Sequence, residues 1–339
     1  MEDAAASRGP HGADASLSGP PRPARDDDGP FHATFSLGRV AGVHVGAHWS
    51  WIIVVWLVVW SLAAEVFPDA APGLSDGAYL AMAGVATLAF FASLLLHELG
   101  HAIVARREGM EIEGITLWLF GGVARFQGMF PSAGAELRIA LAGPAVSLVL
   151  GLSFLAAGLL PVPDSVDSVV TWLGRINLIL LAFNMIPALP LDGGRVLRAL
   201  IWRSTGDFTL ATRSAGSAGV AIGRVMLGAG VLLVLLTGSA GGLWLALIGI
   251  FVSTAARAET SMATSRSALA GIEVRDAMVR EPEVLPADLT IADFVRGPFS
   301  HSRHASYPIG SKDGRVGLLS FATSRTCRRA SGRTPPSAR

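Results

Sequence analysis

Leu94-Leu95-Leu96-His97-Glu98-Leu99-Gly100-His101-Ala102-Ile103-Val104 sets three polar side chains inside an otherwise apolar run. On a helix, positions four apart share a face, so His97 and His101 can offer two imidazoles to one ion. Zinc suits such a pair, and Glu98, one residue on, can take a proton from water held at the metal. The competing reading is a neutral, hydrogen-bonded pair facing a helix bundle. Polar groups at membrane depth need compensation, and a metal supplies it.

Working outward, the whole chain has the composition that such a run requires. Of 339 residues, 51% are hydrophobic and 16% charged, with a mean hydropathy of +0.50, well away from ordinary soluble proteins. A net charge of +1 gives no reason to expect a nucleic-acid partner. The single cysteine, Cys327, excludes an intramolecular disulfide framework and any cysteine-based zinc site. Lys312 is the only lysine among 27 basic residues, a bias without functional meaning.

Residues 1–30, rich in Ala, Gly, Pro, Arg and Asp, read as a disordered cytosolic tail. Residues 31–48 alternate loosely and predict a short strand or ribbon entering the membrane. Apolar spans are expected at 49–67, 79–105, 135–160, 169–186, 215–236 and 242–256, each long enough to cross or nearly cross a layer of roughly 30 Å. The loops after the first and third spans carry Asp69, Asp76, Asp164 and Asp167 and no basic residue, whereas Arg106, Arg107, Arg195, Arg198 and Arg203 follow the second and fourth. The positive-inside rule then puts both termini and the end of the helix after His101 in the cytosol. Tryptophans 49, 51, 56 and 60 are expected to face lipid, mostly, with those nearest the ends anchoring at the interface.

Between the second and third spans, Ile112, Ile115, Leu117 and Leu119 lead to Gly121 and Gly122, which predicts a β-hairpin or re-entrant loop. Backbone at that depth needs cover from protein, so the loop belongs beside the reactive centre, where an edge strand could receive an extended peptide. The third metal ligand must come from elsewhere, and Asp192, at the cytosolic end of the fourth span, lies at the right depth. The surrounding prolines and glycines would free its backbone from helix. Asn184 could hydrogen-bond a developing oxyanion or simply cross-link helices. His44 and His48, also four apart, allow a second metal site or plain interfacial hydrogen bonding. Gly143-Pro144 reads as a kink. From residue 272 the pattern becomes a small soluble domain of strand, helix and two strands, followed by a basic tail at 324–339.

Four ordered motifs carry a resemblance: His97-Glu98-Leu99-Gly100-His101, Phe120-Gly121-Gly122-Val123-Ala124, Glu136 to Pro144 ending in Ala-Gly-Pro, and Asn184 to Gly194 containing Leu-Asp-Gly-Gly. The chain resembles the intramembrane site-2 zinc metalloproteases, in the bacterial branch with a C-terminal cystathionine β-synthase-type (CBS) domain. The resemblance implies one zinc held by His97, His101 and Asp192, catalysis by Glu98, a place for Asn184 near the scissile peptide, and receipt of unwound substrate by the Gly121-Gly122 loop. It implies a multi-pass protein of the cell membrane cutting a single-span partner such as an anti-sigma factor or a remnant signal peptide. It divides the chain into a transmembrane metalloprotease domain (31–258) and one CBS-like motif (272–323). Such motifs act in pairs, which allows homo-oligomerisation, and Thr323 stands where the family has a ribose-binding acid after Gly317 and Ser320. The reading from another functional class is a transporter or sensor whose His/Asp cluster conducts ions; it leaves Glu98 unexplained.

Overall fold

The computed structural model of the chain describes residues 34–40, 42–118, 121–126, 128–269, 272–301, 304–310 and 316–320. Both tails expected to be disordered lie outside these. The chain forms two units, Met1–Ser267 and Ala268–Arg339.

The first unit is a helical bundle with a small sheet. After β1 (Phe35–Val40) and β2 (Val43–Ala47), helix α1 (Trp51–Ser61) continues through a π-helical turn, Leu62–Val66, into α2 (Phe67–Ala70). There follow α3 (Asp76–Arg107), β3 (Ile112–Trp118), β4 (Gly121–Phe126), α4 (Ala133–Ala157), α5 (Asp164–Asn184), α6 (Asp192–Thr205), α7 (Phe208–Thr237) and α8 (Ala240–Leu269). Among the described residues six segments are long and apolar enough to cross a membrane: Trp51–Ala70, Asp76–Arg107, Ala133–Ala157, Asp164–Asn184, Phe208–Thr237 and Ala240–Ser265. They are the six expected from hydropathy, with shifted bounds. Ser75 and Ser132 accept from the backbone N–H groups of Ala78 and Ala135, and Asp207 from those of Thr209 and Leu210, which starts α3, α4 and α7 earlier than the apolar runs. Trp56 and Trp60 are exposed, as a lipid-facing side chain is in an isolated chain. Trp51 departs from that pattern and packs edge-on against Phe91 of α3, 5.0 Å between ring centres.

The hairpin expected after the second span exists as β3–β4, but it is half of a larger element. β2 pairs with β3 in parallel, Val45 opposite Ile115, giving a four-stranded sheet in the order β1-β2-β3-β4. The residues before the first span and those after the second thus form one sheet. Its apolar face lies on α3: Val43 and Ile115 pack with Leu99 and Ala102, and Ala47 and Leu117 with Phe91 and Leu94. Helix α3 is covered on another side by α4, where Ala105, Met110 and Ile139 form a small core. Helix α4 runs from Ala133 to Ala157 with Gly143-Pro144, where a kink is expected, inside it.

Helix α6 is a short amphipathic element outside the six spans, and it is tied to its neighbours by charge. Arg198 donates from Nε to Glu136 Oε1 of α4 and from Nη1 to Glu259 Oε1 of α8, each at 2.6 Å, between the rings of Phe130 and Phe208. The Glu136 side chain is fully buried, so a carboxylate there is tolerable only while Arg198 neutralises it. Arg198→Ala is expected to destabilise the bundle by about 3 kcal/mol, the usual cost of orphaning a buried charge; thermal unfolding in detergent measures it, and an unchanged midpoint would show that the network carries no stability.

The second unit contains α9 (Val274–Ala277), β5 (Leu285–Pro286), α10 (Ile291–Arg296), α11 (Pro298–His301), β6 (Ser306–Gly310) and β7 (Val316–Ser320). β5 and β6 are parallel, β6 and β7 antiparallel, and Leu285, Phe294 and Tyr307 make its core. Thr323 lies outside the described residues.

Candidate active site

Helix α3 carries the two histidines one turn apart, both turned toward α4 and both buried. His101 Nδ1 donates to the backbone carbonyl of Ile139 at 2.7 Å, which fixes the tautomer and leaves Nε2 with its lone pair. His97 Nδ1 is 2.9 Å from Ser147 Oγ. The two Nε2 atoms are 3.2 Å apart, and Asp192 Oδ2 is 3.2 Å from His97 Nε2 and 3.3 Å from that of His101. Three ligand atoms of the kind zinc prefers therefore converge on one point, and the outer nitrogen of each ring is held by a second partner, as metal-binding imidazoles require. A zinc ion fits this donor set.

Asp192 is delivered differently from the expectation. The backbone is free of helix over residues 185–191, with the prolines at 187 and 190 in that turn, but Asp192 itself is the first residue of a further helix, α6. A Cβ on Gly193 would meet Met185 O at 2.3 Å, and one on Gly194 would meet Leu189 N at 2.2 Å, so the Asp-Gly-Gly sequence lets that turn fold back on the helix start.

Glu98 leaves α3 in another direction and lines a cavity of about 280 Å³. Asn184, Gly121 and Gly122 line the same cavity, with Trp118, Phe183 and Phe251 among its apolar walls. The hairpin reaches Glu98 through glycine: a Cβ on Gly122 would lie 2.5 Å from Glu98 Cγ. All four residues singled out for chemistry or substrate binding outside the metal cluster thus share one space.

Three contributors went unread in the sequence. Ser147, the Ile139 carbonyl and Gly143 form one row on α4, spaced by four, against the histidines. A Cβ on Gly143 would overlap His101 Nε2 and lie 2.6 Å from His97 Nε2, so Gly143 serves close approach. The i, i+4 spacing of Ile139, Gly143 and Ser147 was the available signal. His44 and His48 join no metal-capable group among the described residues; His44 accepts from Arg39 Nε at 2.9 Å and His48 lies 2.8 Å from Ser50 Oγ, the interfacial reading.

The family model for peptidase family M50 matches residues 85–163 and 161–228. Rip3 of Mycobacterium tuberculosis H37Rv, named as a zinc metalloprotease, is 40% identical over 290 residues, spanning 84% of this chain and 74% of that protein. The chain belongs to peptidase family M50. Other relatives of this M50 chain include the zinc metalloprotease MJ0392 of Methanocaldococcus jannaschii, 33% identical over 68% of this chain and 65% of that one. A solved site-2 protease from Methanocaldococcus jannaschii is 30% identical, with a TM-score of 0.48 over 67% of this chain and 94% of that structure. The M50 chain is a zinc metalloprotease, and its six apolar helices make it a multi-pass membrane protein.

Gly143→Ala and Ser147→Ala test the packing around the donor cluster. Loss of an outer partner lowers zinc affinity on the order of tenfold for Ser147→Ala, and Gly143→Ala is expected to lower it further by pushing the imidazoles apart. Titration against a competing chelator reads both, and unchanged affinity in Gly143→Ala would mean that α4 does not close over the donors.

Proposed function

We propose that this M50 metalloprotease is an intramembrane endopeptidase that cuts membrane-spanning or membrane-proximal segments of single-span proteins. The observation that carries the reading is the shared cavity, in which Glu98, Asn184 and the Gly121-Gly122 backbone face one space large enough for a few residues of extended peptide. His97, His101 and Asp192 would hold one zinc ion, whose Lewis acidity would bring the pKa of water toward neutrality and polarise a carbonyl. The Glu98 carboxylate takes the proton from the attacking water and passes it to the leaving amide nitrogen. The Asn184 side-chain amide donates to the carbonyl oxygen of the scissile peptide as charge develops there. A helical substrate must unwind first, because its carbonyls are occupied by its own N–H groups. The unwound stretch then pairs with backbone at the hairpin, where Gly122 leaves room beside Glu98.

Charge sorting supports an orientation with both termini cytosolic and the site near the cytosolic face. Substrates of the expected kind are an anti-sigma factor or a remnant signal peptide left by an earlier cut, which would make the enzyme a step in regulated intramembrane proteolysis. The second unit, with its strand-helix-strand-strand order, fits a single CBS-like motif over 272–323, and self-association through it would give a homo-oligomer.

Glu98→Gln is expected to keep zinc while lowering cleavage of a co-expressed single-span substrate by about a hundredfold to ten-thousandfold, since an amide cannot accept the proton. Cleavage at the normal rate by that variant would remove Glu98 as the base. Orientation has a simpler check. Cys327, the sole thiol, is expected to resist a membrane-impermeant maleimide on intact cells and to react after lysis; labelling on intact cells would invert the topology.

A further inference from the structure

Helices α7 and α8 form an antiparallel pair that meets through small residues, with a Cβ on Gly216 overlapping Thr260 Oγ1 and one on Gly219 lying 2.9 Å from Ala256 Cβ. Beside this contact, at the end of the pair where α7 begins, lies a groove of about 430 Å³. Its walls are two helical stripes: Arg213, Gly216, Ser217 and Val220 from α7, and Arg257, Thr260, Ser261, Thr264 and Ser265 from α8. Among the described residues no carboxylate lines it. The nearby Glu259 faces away, toward Arg198. Among the described residues neither Arg213 nor Arg257 makes an ion pair, and both side chains are exposed.

We propose that this groove binds the phosphate headgroup of an anionic phospholipid. Two guanidinium groups that make no ion pair among the described residues stand at the end of two helices long and apolar enough to cross a membrane, where water gives way to lipid headgroups. A phosphate diester between them offers anionic oxygens that match the planar fork of each arginine. The hydroxyls sort in the same sense. Ser217, Thr260 and Thr264 donate to backbone carbonyls of their own helices, whereas Ser261 and Ser265 make no such bond among the described residues and remain able to donate to phosphate oxygen. The apolar flanks of α7 and α8 outside the groove, with Val225 and Leu247 exposed, suit the acyl chains of the same molecule. A headgroup held there would bridge α7 and α8, and α8 also lends Trp244, Ile248 and Phe251 to the cavity at Glu98. The site is distinct from the metal cluster and its occupancy does not depend on the proteolytic reading.

Native mass spectrometry of the purified full-length chain in neutral detergent tests the assignment, with phosphatidylglycerol, phosphatidylcholine and inorganic phosphate as the probes. Phosphatidylglycerol adducts are expected at concentrations where phosphatidylcholine gives none and where inorganic phosphate does not displace them. Replacing both arginines (Arg213→Gln with Arg257→Gln) should weaken that binding on the order of tenfold or more, given about 1 kcal/mol for each basic residue at an anionic surface. Each single variant should lose part of it, which keeps the test alive if the double variant does not fold. Equal binding of the two lipids, or wild-type binding by the variants, would overturn the proposal. Displacement by inorganic phosphate at equal concentration would overturn the headgroup in favour of a free anion.

Discussion

Everything in the first unit depends on bringing three lone-pair donors to one point inside an apolar bundle. Two imidazole nitrogens and a carboxylate oxygen within 3.3 Å of one another are mutually repulsive unless a cation stands among them or a proton is shared. No single helix can hold that arrangement. Helix α3 supplies the spacing of the two histidines, α4 fixes their rings through the Ile139 carbonyl and the Ser147 hydroxyl, and the start of α6 brings the carboxylate from 91 residues further along the chain than His101. The charged tie from Arg198 to Glu136 and Glu259 then holds α6 against α4 and α8, so that Asp192 stays where the histidines need it.

Glycine is the material from which the close approaches are made, and each approach has its own purpose. Gly143 lets α4 lie directly over the imidazoles, where any side chain would displace them. Gly122 lets hairpin backbone lie against Glu98, the half-buried carboxylate that lines the cavity. Helix α4 closes over the histidines, and the sheet is pinned to another side of α3 through Val43, Ile115, Leu99 and Ala102.

Much of this was legible in the sequence because membrane spans and metal spacing are local signals. The six apolar segments, the His97–His101 pair and the β3–β4 hairpin all follow from residues near one another in the chain. The parallel pairing of β2 with β3 was not legible, since Val45 and Ile115 are separated by two apolar helical stretches and no short-range pattern links them. Asp192 follows from depth and elimination, and the prolines and glycines around it do keep residues 185–191 out of helix, but that the turn they shape begins a new helix at Asp192 has no local signal. The close approach at Gly143 lies in what packs across from it, and that is a property of the fold. The Arg198 network was hidden for the same reason: the members stand 61 and 62 residues apart and read singly as surface charges.

The central claim is that His97, His101 and Asp192 together bind zinc in this M50 protease. X-ray absorption at the zinc edge of the purified full-length chain addresses it without reference to activity. The account predicts a first shell of nitrogen and oxygen near about 2.0 Å, with the outer-shell scattering of two imidazoles and no sulfur. One imidazole, a sulfur shell, or a spectrum unchanged by Asp192→Asn would contradict it.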